Sequence, residues 1–182
     1  PHLPRVKEKG NRVAICEQVE DPAAAKGIVR REVIQIVTPG TAMTGSMLSD
    51  KENNYIASVF TGGESIGLSY CDVSTGENCL TSFSGIGARQ TLINELVKIN
   101  ARELILDENT SMILDTVDLA TVIDPYINVI GDRFYRKDAL RDTIRRHFGV
   151  TSSRGIGVEE DTDSETALGA LLLYLYDTQK SD

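Results

Sequence analysis

The sequence of 182 residues predicts an α/β fold, in which three antiparallel strands precede a helix, a fourth strand and a second helix. Two observations lead to this prediction. Short apolar, β-rich runs in the middle of the chain are separated by turns of three or four residues, and turns this short favour antiparallel hairpins. Farther along, leucine and isoleucine recur at helical spacing, and a helix followed by an apolar run can add a parallel strand to the sheet.

The three hairpin strands are predicted at 54–60, 65–73 and 78–83, because these runs are apolar and bounded by turn residues. The first turn contains Gly62 and Gly63. A glycine pair could belong to a phosphate-binding loop, but such a loop ends in Gly-Lys-Ser/Thr and leads into a helix. Here the pair leads into a strand, so it is interpreted as a turn.

The helix after the hairpins is indicated by Leu92, Leu96 and Ile99, which lie on one helical face. The apolar run 103–106 follows it as the fourth strand.

The region 112–130 has no clear period, and we expect irregular chain there with one more strand near 121–123. A second helix is predicted over 137–148, where Leu140 and Ile144 share a face. The complete order βββ-α-β-α, with a mixed sheet, is that of an RNase H-like fold.

Further elements flank this central unit. Residues 13–16 and 33–37 are short apolar runs that predict two strands, and the Asp-Pro pair at 21–22 predicts the start of a short helix between them. At the other end, Thr162 and Glu165 have capping-box spacing before an apolar run, so a strong helix is predicted there. That helix is apolar on several faces, which calls for packing partners on more than one side.

Composition excludes several classes of protein. The net charge of −8 repels a phosphate backbone, so any DNA contact must be local. No apolar run approaches the about 20 residues of a membrane span, so no membrane association is expected. Three cysteines without paired spacing predict buried free thiols and a reducing, cytoplasmic environment.

The sequence predicts no metal site and no catalytic site. Its two histidines are remote from each other, and no cysteine pair has metal-ligand spacing. A two-metal nuclease would need converging carboxylates, one of them on the first strand of an RNase H-like sheet, but 54–60 contains no acid. The available acids lie elsewhere in the unit: Asp72, Glu95 and Asp107. Asp72 is expected to shape its hairpin by bonding local amides.

A series of motifs in one consistent order runs through the chain. They are V-A-I-C-E-Q at 13–18, V-T-P-G-T at 37–41, L-S-Y-C-D-V-S-T-G-E at 68–77, H-F-G-V at 147–150, G-I-G-V at 155–158 and A-L-L-L-Y-L at 170–175. In their order and spacing they resemble the MutS family of DNA mismatch-repair ATPases.

This resemblance implies that the chain is a fragment of a larger protein and that the fragment itself has four parts. Residues 1–42 would be the C-terminal remnant of a mismatch-recognition domain, 43–51 a linker, 52–158 a connector domain and 159–182 the start of the core-domain helix. The aromatic F-x-E wedge that reads mismatches in bacterial family members would lie upstream, and the ATPase domain downstream.

The resemblance also implies a non-catalytic function. The connector would link DNA sensing to the ATPase core and contact the MutL-type partner protein. No cofactor is expected in this segment, whereas ATP and Mg²⁺ would bind the intact parent. The intact parent would be a cytoplasmic homodimer that binds mismatched double-stranded DNA.

Two basic groups are candidate contact sites, each with a solvated surface as the alternative interpretation. The group in the recognition-domain remnant would touch DNA phosphates: Lys26, Arg30 and Arg31. The group on one face of the second helix would dock a protein partner, or would instead form a salt-bridged face: Lys137, Arg141 and Arg145. Two other functions stay open, namely a stand-alone RNase H-like nuclease and a pure protein-interaction module.

Overall fold

A computed structural model describes residues 13–18, 31–41 and 54–179. Within these ranges the strands are β1 (Val13–Gln18), β2 (Arg31–Val37), β3 (Tyr55–Phe60), β4 (Ser65–Asp72), β5 (Glu77–Ser84), β6 (Glu103–Leu106) and β7 (Tyr126–Val129). The α-helices are α1 (Ala88–Ile99), α2 (Glu108–Leu114), α3 (Thr116–Val122), α4 (Lys137–Phe148) and α5 (Asp163–Thr178). Two short 3₁₀ helices cover Asp132–Tyr135 and Ser153–Ile156.

The strands form two sheets. Strands β1 and β2 pair antiparallel, and the other five form a sheet of order β5-β4-β3-β6-β7. Strands β3, β4 and β5 are antiparallel neighbours because tight turns join them, whereas β6 and β7 run parallel to β3 because helices make the crossovers. The predicted α/β class with a mixed sheet is confirmed.

The predicted strand near 121–123 is wrong, because the chain there is helical until Val122 and the last strand is β7. Two aspartates start short helices in this region by capping backbone amides. Asp107 accepts from the Thr110 amide at 2.9 Å, and Asp115 accepts from the Asp118 amide at 3.4 Å. These caps outweigh the β propensity of the Thr-Val-Ile run.

The five-stranded sheet is covered on both faces. Helix α1 packs on one face, where the core contains Ala57, Val59, Leu68, Leu92, Leu96, Leu104 and Leu106. Helix α5 packs on the other face, where the core contains Ile56, Cys71, Ile105, Phe134, Leu171 and Tyr174. The central strand β3 is therefore buried on both sides from Ile56 to Val59, as the inner strand of a three-layer arrangement should be.

Helix α5 approaches its neighbours closely at two glycines. A Cβ added to Gly67 on β4 would collide with the carbonyl oxygen of Asp163, and one added to Gly169 would lie 2.8 Å from the Cβ of Leu140 on α4. The Asp163 carboxylate also accepts a hydrogen bond from the Ser65 hydroxyl at 2.6 Å. The sheet and α4 are thus the two packing partners that the apolar pattern of this helix predicts.

The assignment of 159–182 to the start of a further domain stays a prediction, and α5 packs on this sheet in any case. Helix α5 has 16 residues, and no helix in the described part of the chain is long and apolar enough to span a membrane.

The cysteines differ in environment. Cys71 is buried, and this burial raises the pKa of its thiol to about 12. Cys79 is half-buried and Cys16 is exposed. The prediction of buried thiols is therefore wrong for Cys16, which lies on a sheet of only two described strands.

The close approach at β4 makes a testable prediction. Gly67→Ala places a methyl group against backbone atoms that cannot rotate away, so the free energy of unfolding should fall by about 3 kcal/mol in urea denaturation. Gly131→Ala is the matched control, since its Cβ would meet nothing within 4 Å and its φ is −73°. Equal stability of the two variants would contradict the close packing of α5.

Candidate functional site

The turn that ends β2, residues 38–41, is buried against the five-stranded sheet. Thr38 and Thr41 are 0% and 1% exposed, although turns are ordinarily solvated. The Thr38 amide donates to Oγ1 of Thr41 at 2.9 Å, and the Thr41 amide donates to the Thr38 carbonyl at 3.2 Å. The hydrogen bonds between Thr38 and Thr41 thus hold the shape of the turn without help from the sheet.

The side chain of Glu103 at the start of β6 receives this turn, and it has no exposed surface. The Gly40 amide donates to its Oε2 at 3.0 Å. The Tyr174 hydroxyl donates to its Oε1 at 2.6 Å, and Nδ2 of Asn128 donates to the same oxygen at 3.1 Å. We call these four residues the Glu103 junction. Its donors come from the turn, from α5 and from β7, which are distant in the sequence.

Residue 40 must be glycine for the turn to reach the sheet. A Cβ at this position would lie 2.9 Å from the Cβ of Glu103 and 2.9 Å from the Cβ of Ile56. The Gly40 carbonyl accepts from Nδ2 of Asn54 at 3.1 Å. Both backbone polar groups of Gly40 are therefore bonded to the five-stranded sheet or to the residue just before it.

A second contact joins β2 to the end of α5. Nε2 of Gln35 donates to Oε1 of Gln179 at 3.2 Å. Beside it lies a cleft of about 270 Å³, which is lined by Ile36, Phe134 and Thr178 among others. The two-stranded sheet thus meets the end of α5 through a polar contact beside an open cleft.

Sequence patterns do not identify Glu103 as a functional residue, because it is the first residue of an apolar run that predicts a strand. Its partners are 63, 25 and 71 residues away, so no local spacing could reveal them. The signal available in the sequence is an acid at the start of the apolar run 103–106.

The three predicted partner-binding residues share α4, and each pairs with an acid. Nζ of Lys137 lies 2.6 Å from Asp161, and an Nη of Arg141 lies 2.9 Å from the same carboxylate. Arg145 pairs with Asp142 at 3.5 Å. The Lys137 side chain is 70% exposed and that of Arg145 42%, whereas Arg141 is 24% exposed. Arg141 is therefore committed to internal contacts more than the other two.

Glu165, in the first turn of α5, explains the position of Arg141. Its carboxylate accepts from the Ser153 hydroxyl at 2.5 Å, from the Asp161 amide at 2.7 Å and from Arg141 at 3.3 Å. Burial raises the pKa of Glu165, whereas the hydrogen bonds from Ser153, Arg141 and Asp161 lower it. The lowering by the hydrogen bonds is larger than the increase due to burial, so the pKa lies below its ordinary value. The Glu165 amide donates to Oγ1 of Thr162 at 3.1 Å, which confirms the predicted helix cap.

The predicted DNA-contacting residues cannot be placed in the same way. Lys26 and Arg30 lie outside the described residues, and only the backbone of Arg31, in β2, is described. Their proposed contact with phosphates stays a prediction.

The acids considered for a nuclease have local structural roles. Asp72 accepts from the Ser74 amide at 2.8 Å, which confirms its predicted role in the hairpin, and Asp107 caps α2. Glu95 pairs with Lys98 at 3.3 Å. Within 13–18, 31–41 and 54–179, no three His, Cys, Asp or Glu side chains are grouped so that they could hold a metal ion.

Comparison with protein families identifies both parts of the chain. Residues 54–182 match the family model of MutS domain II, and residues 1–46 match that of MutS domain I. This chain belongs to the MutS family. The Glu103 junction therefore lies where the end of MutS domain I meets MutS domain II.

Individual relatives agree with this assignment. The chain is 38% identical over 179 residues to the DNA mismatch repair protein MutS of Halothermothrix orenii, and 39% identical over 179 residues to that of Pelotomaculum thermopropionicum. It is 37% identical over 180 residues to the MutS of Clostridioides difficile. Each alignment covers 98% of this chain but only 18–21% of the relative, so the chain spans about a fifth of their length.

The lowered pKa of Glu165 predicts a pH-dependent contribution to stability. A carboxylate with a folded pKa below its ordinary value of 4.5 stabilises the fold above that pH, and this contribution is lost as pH falls through the folded pKa. Glu165→Gln should therefore lower the free energy of unfolding by about 2 kcal/mol at neutral pH, and the difference from the native chain should shrink below pH 4.5.

Urea denaturation at a series of pH values measures this effect. Glu159→Gln is the control, because Glu159 is 75% exposed and pairs with Arg154 only at 3.5 Å. A Glu165→Gln penalty that is the same at neutral and acidic pH would contradict the assigned role of the charge.

Proposed function

We propose that this segment is the non-catalytic connector of a MutS-type mismatch-repair protein, together with the end of the domain that precedes it. The observation that carries the proposal is the Glu103 junction. It joins the last turn of the domain I segment to the sheet of domain II and to α5 through one buried carboxylate. Such a joint can pass a change of position from one domain to the next.

The sheet topology supports an RNase H-like connector. Numbered from β3, the strand order is 3-2-1-4-5, with the first three strands antiparallel and the last two parallel to the first. The RNase H-like fold would serve here without nuclease activity. Strand β3 carries no acid, and the other candidate acids have local partners, namely Asp72, Glu95 and Asp107. This favours a structural role over a nuclease.

The remaining properties belong to the proposed longer protein. It would be a cytoplasmic homodimer that binds mismatched double-stranded DNA, and ATP with Mg²⁺ would act in a separate domain. Because the chain carries a net charge of −8, DNA contact by this segment would be confined to a local basic group such as Lys26, Arg30 and Arg31.

Contact with the MutL-type partner is proposed for α4. Lys137 and Arg145 keep 70% and 42% of their side-chain surface exposed, so they can meet an acidic partner without loss of a buried contact. Arg141 lies between them and holds Glu165, so its role would be to position the helix.

A substitution in the longer protein tests the connector role. Gly40→Ala should prevent docking of the turn, because its Cβ would collide with Glu103 and Ile56. Mismatch binding should stay within about twofold of the native value, whereas stimulation of ATP turnover by mismatched DNA should fall about tenfold, since the joint rather than either end is changed.

Gly131→Ala is the control, and it should leave both the DNA affinity and the stimulated ATPase rate unchanged. If mismatched DNA stimulated ATP turnover in Gly40→Ala as strongly as in the native protein, the connector role would be contradicted. If, in addition, the double variant Lys137→Glu and Arg145→Glu lost binding of the MutL-type protein, the segment would be an interaction module only.

A charge-reversal pair tests the partner surface. The double variant Lys137→Glu and Arg145→Glu should weaken binding of the MutL-type protein about tenfold in a titration, because two accessible cations become anions. Lys98→Glu is the matched control, since Lys98 is 74% exposed on α1, across the sheet from α4 and α5. Equal effects of the two changes would remove α4 as the docking face.

A further inference from the structure

We infer that the turn 38–41 is a latch that docks and undocks as a unit, and that Tyr174 couples its state to α5 through the Glu103 carboxylate. The inference rests on the proposed function, because it states how a movement of the domain I segment would reach the last helix. It adds the residues through which the movement passes and the order in which they act.

The first step concerns the turn itself. Its internal hydrogen bonds between Thr38 and Thr41 do not involve the sheet, so they persist when the turn leaves. The amide and carbonyl of Gly40 would then bond water in place of Glu103 and Asn54. The polar groups of Gly40 can therefore be hydrogen-bonded in the docked and in the undocked state.

The second step concerns the interface. Between β2 with its turn and the rest of the protein, the hydrogen bonds among the described residues include those from Gly40 to Glu103, from Gln35 to Gln179 and from Asn54 to Gly40. A cleft of about 270 Å³, lined by Ile36 and Thr178 among others, lies beside the bond between Gln35 and Gln179. Polar contacts beside solvent belong to the regions that open at lower free energy than a buried apolar core.

The third step is the transfer to α5. The two oxygens of Glu103 are held from opposite partners, Oε2 by Gly40 and Oε1 by Tyr174. When Gly40 leaves, Oε2 loses the donor that the turn supplies, and the hydrogen bonds that Tyr174 and Asn128 donate to Oε1 must adjust to this change. Asn128 shares this adjustment, because its Nδ2 lies 2.8 Å from the Tyr174 hydroxyl.

The fourth step identifies where α5 responds. Tyr174 lies one turn before the end of α5, and Gln179 caps that end with its amide bonded to Leu175 at 2.8 Å. Gln179 bonds Gln35 in β2 directly, and Tyr174 reaches the turn through Glu103. The C-terminal end of α5 is therefore linked to the segment of β2 and its turn at two points, while its N-terminal end is fixed at Glu165.

Hydrogen exchange of single amides in the 182-residue chain, followed by NMR, tests the latch. Tyr174→Phe removes the hydroxyl but keeps the ring, whose centroid lies 5.9 Å from that of Phe134. Exchange of the Gly40 amide should become about tenfold faster, whereas the Ile105 amide in β6 should be unchanged. Tyr176→Phe is the matched control, because its hydroxyl bonds His147 at the surface, and it should change neither rate.

Reciprocity supplies the second variant. If the latch and the helix end are coupled, Gly40→Ala must speed exchange of the Gln179 amide by a similar factor, again with the Ile105 amide unchanged. An unchanged Gly40 amide in Tyr174→Phe, or equal acceleration of the Gly40 and Ile105 amides, would overturn the inference. Since the ATPase test of the connector role uses the longer protein and a different readout, the two proposals can fail separately.

Discussion

The buried carboxylate of Glu103 is the constraint on which the arrangement of the other elements depends. Removing a carboxylate from water costs several kcal/mol unless hydrogen-bond donors replace the water. Here the donors are the Gly40 amide, the Asn128 side chain and the Tyr174 hydroxyl, each within 3.1 Å. These donors come from a turn, a strand and a helix that are far apart in the sequence. Each of these three elements must be in position before the carboxylate has all of its donors. One side chain thus sets the relative position of two sheets and the last helix.

The position of α5 also depends on small residues. Gly67 lets the helix start against the backbone of β4, and Gly169 lets α4 pack across it. This close approach brings Tyr174 near enough to the sheet to bond Glu103 at 2.6 Å. The first turn of the helix is held by the hydrogen bond between Asp163 and Ser65, so α5 is fixed at its start by a polar contact with β4 and near its end by the Glu103 junction.

Local patterns predicted most of the fold, and long-range contacts account for what they missed. The hairpins, α1, α4 and the Thr162 cap follow from turns, helical spacing and capping residues, which act within a few positions. The strand expected near 121–123 is wrong because aspartate caps built two short helices in that region. Sequence patterns do not reveal the Glu103 junction, because its partners are 25 to 71 residues away and a pattern shows an acid without showing its donors. Helical spacing predicts the salt-bridged alternative for α4, but it does not predict the acids at 161 and 165.

The charges on α4 suit the proposed protein contact better than a contact with DNA. Asp161 neutralises part of the field of Lys137 and Arg141, so the face alternates in sign instead of forming a continuous basic stripe. Phosphate binding gains most from an unbroken row of cations, and the net charge of −8 opposes it further. A protein partner with its own pattern of acids and bases can match alternating charges, which gives specificity more than raw affinity. In the proposed contact, Arg141 holds α4 in place through Asp161 and Glu165, and this fixes the positions at which Lys137 and Arg145 would meet the partner.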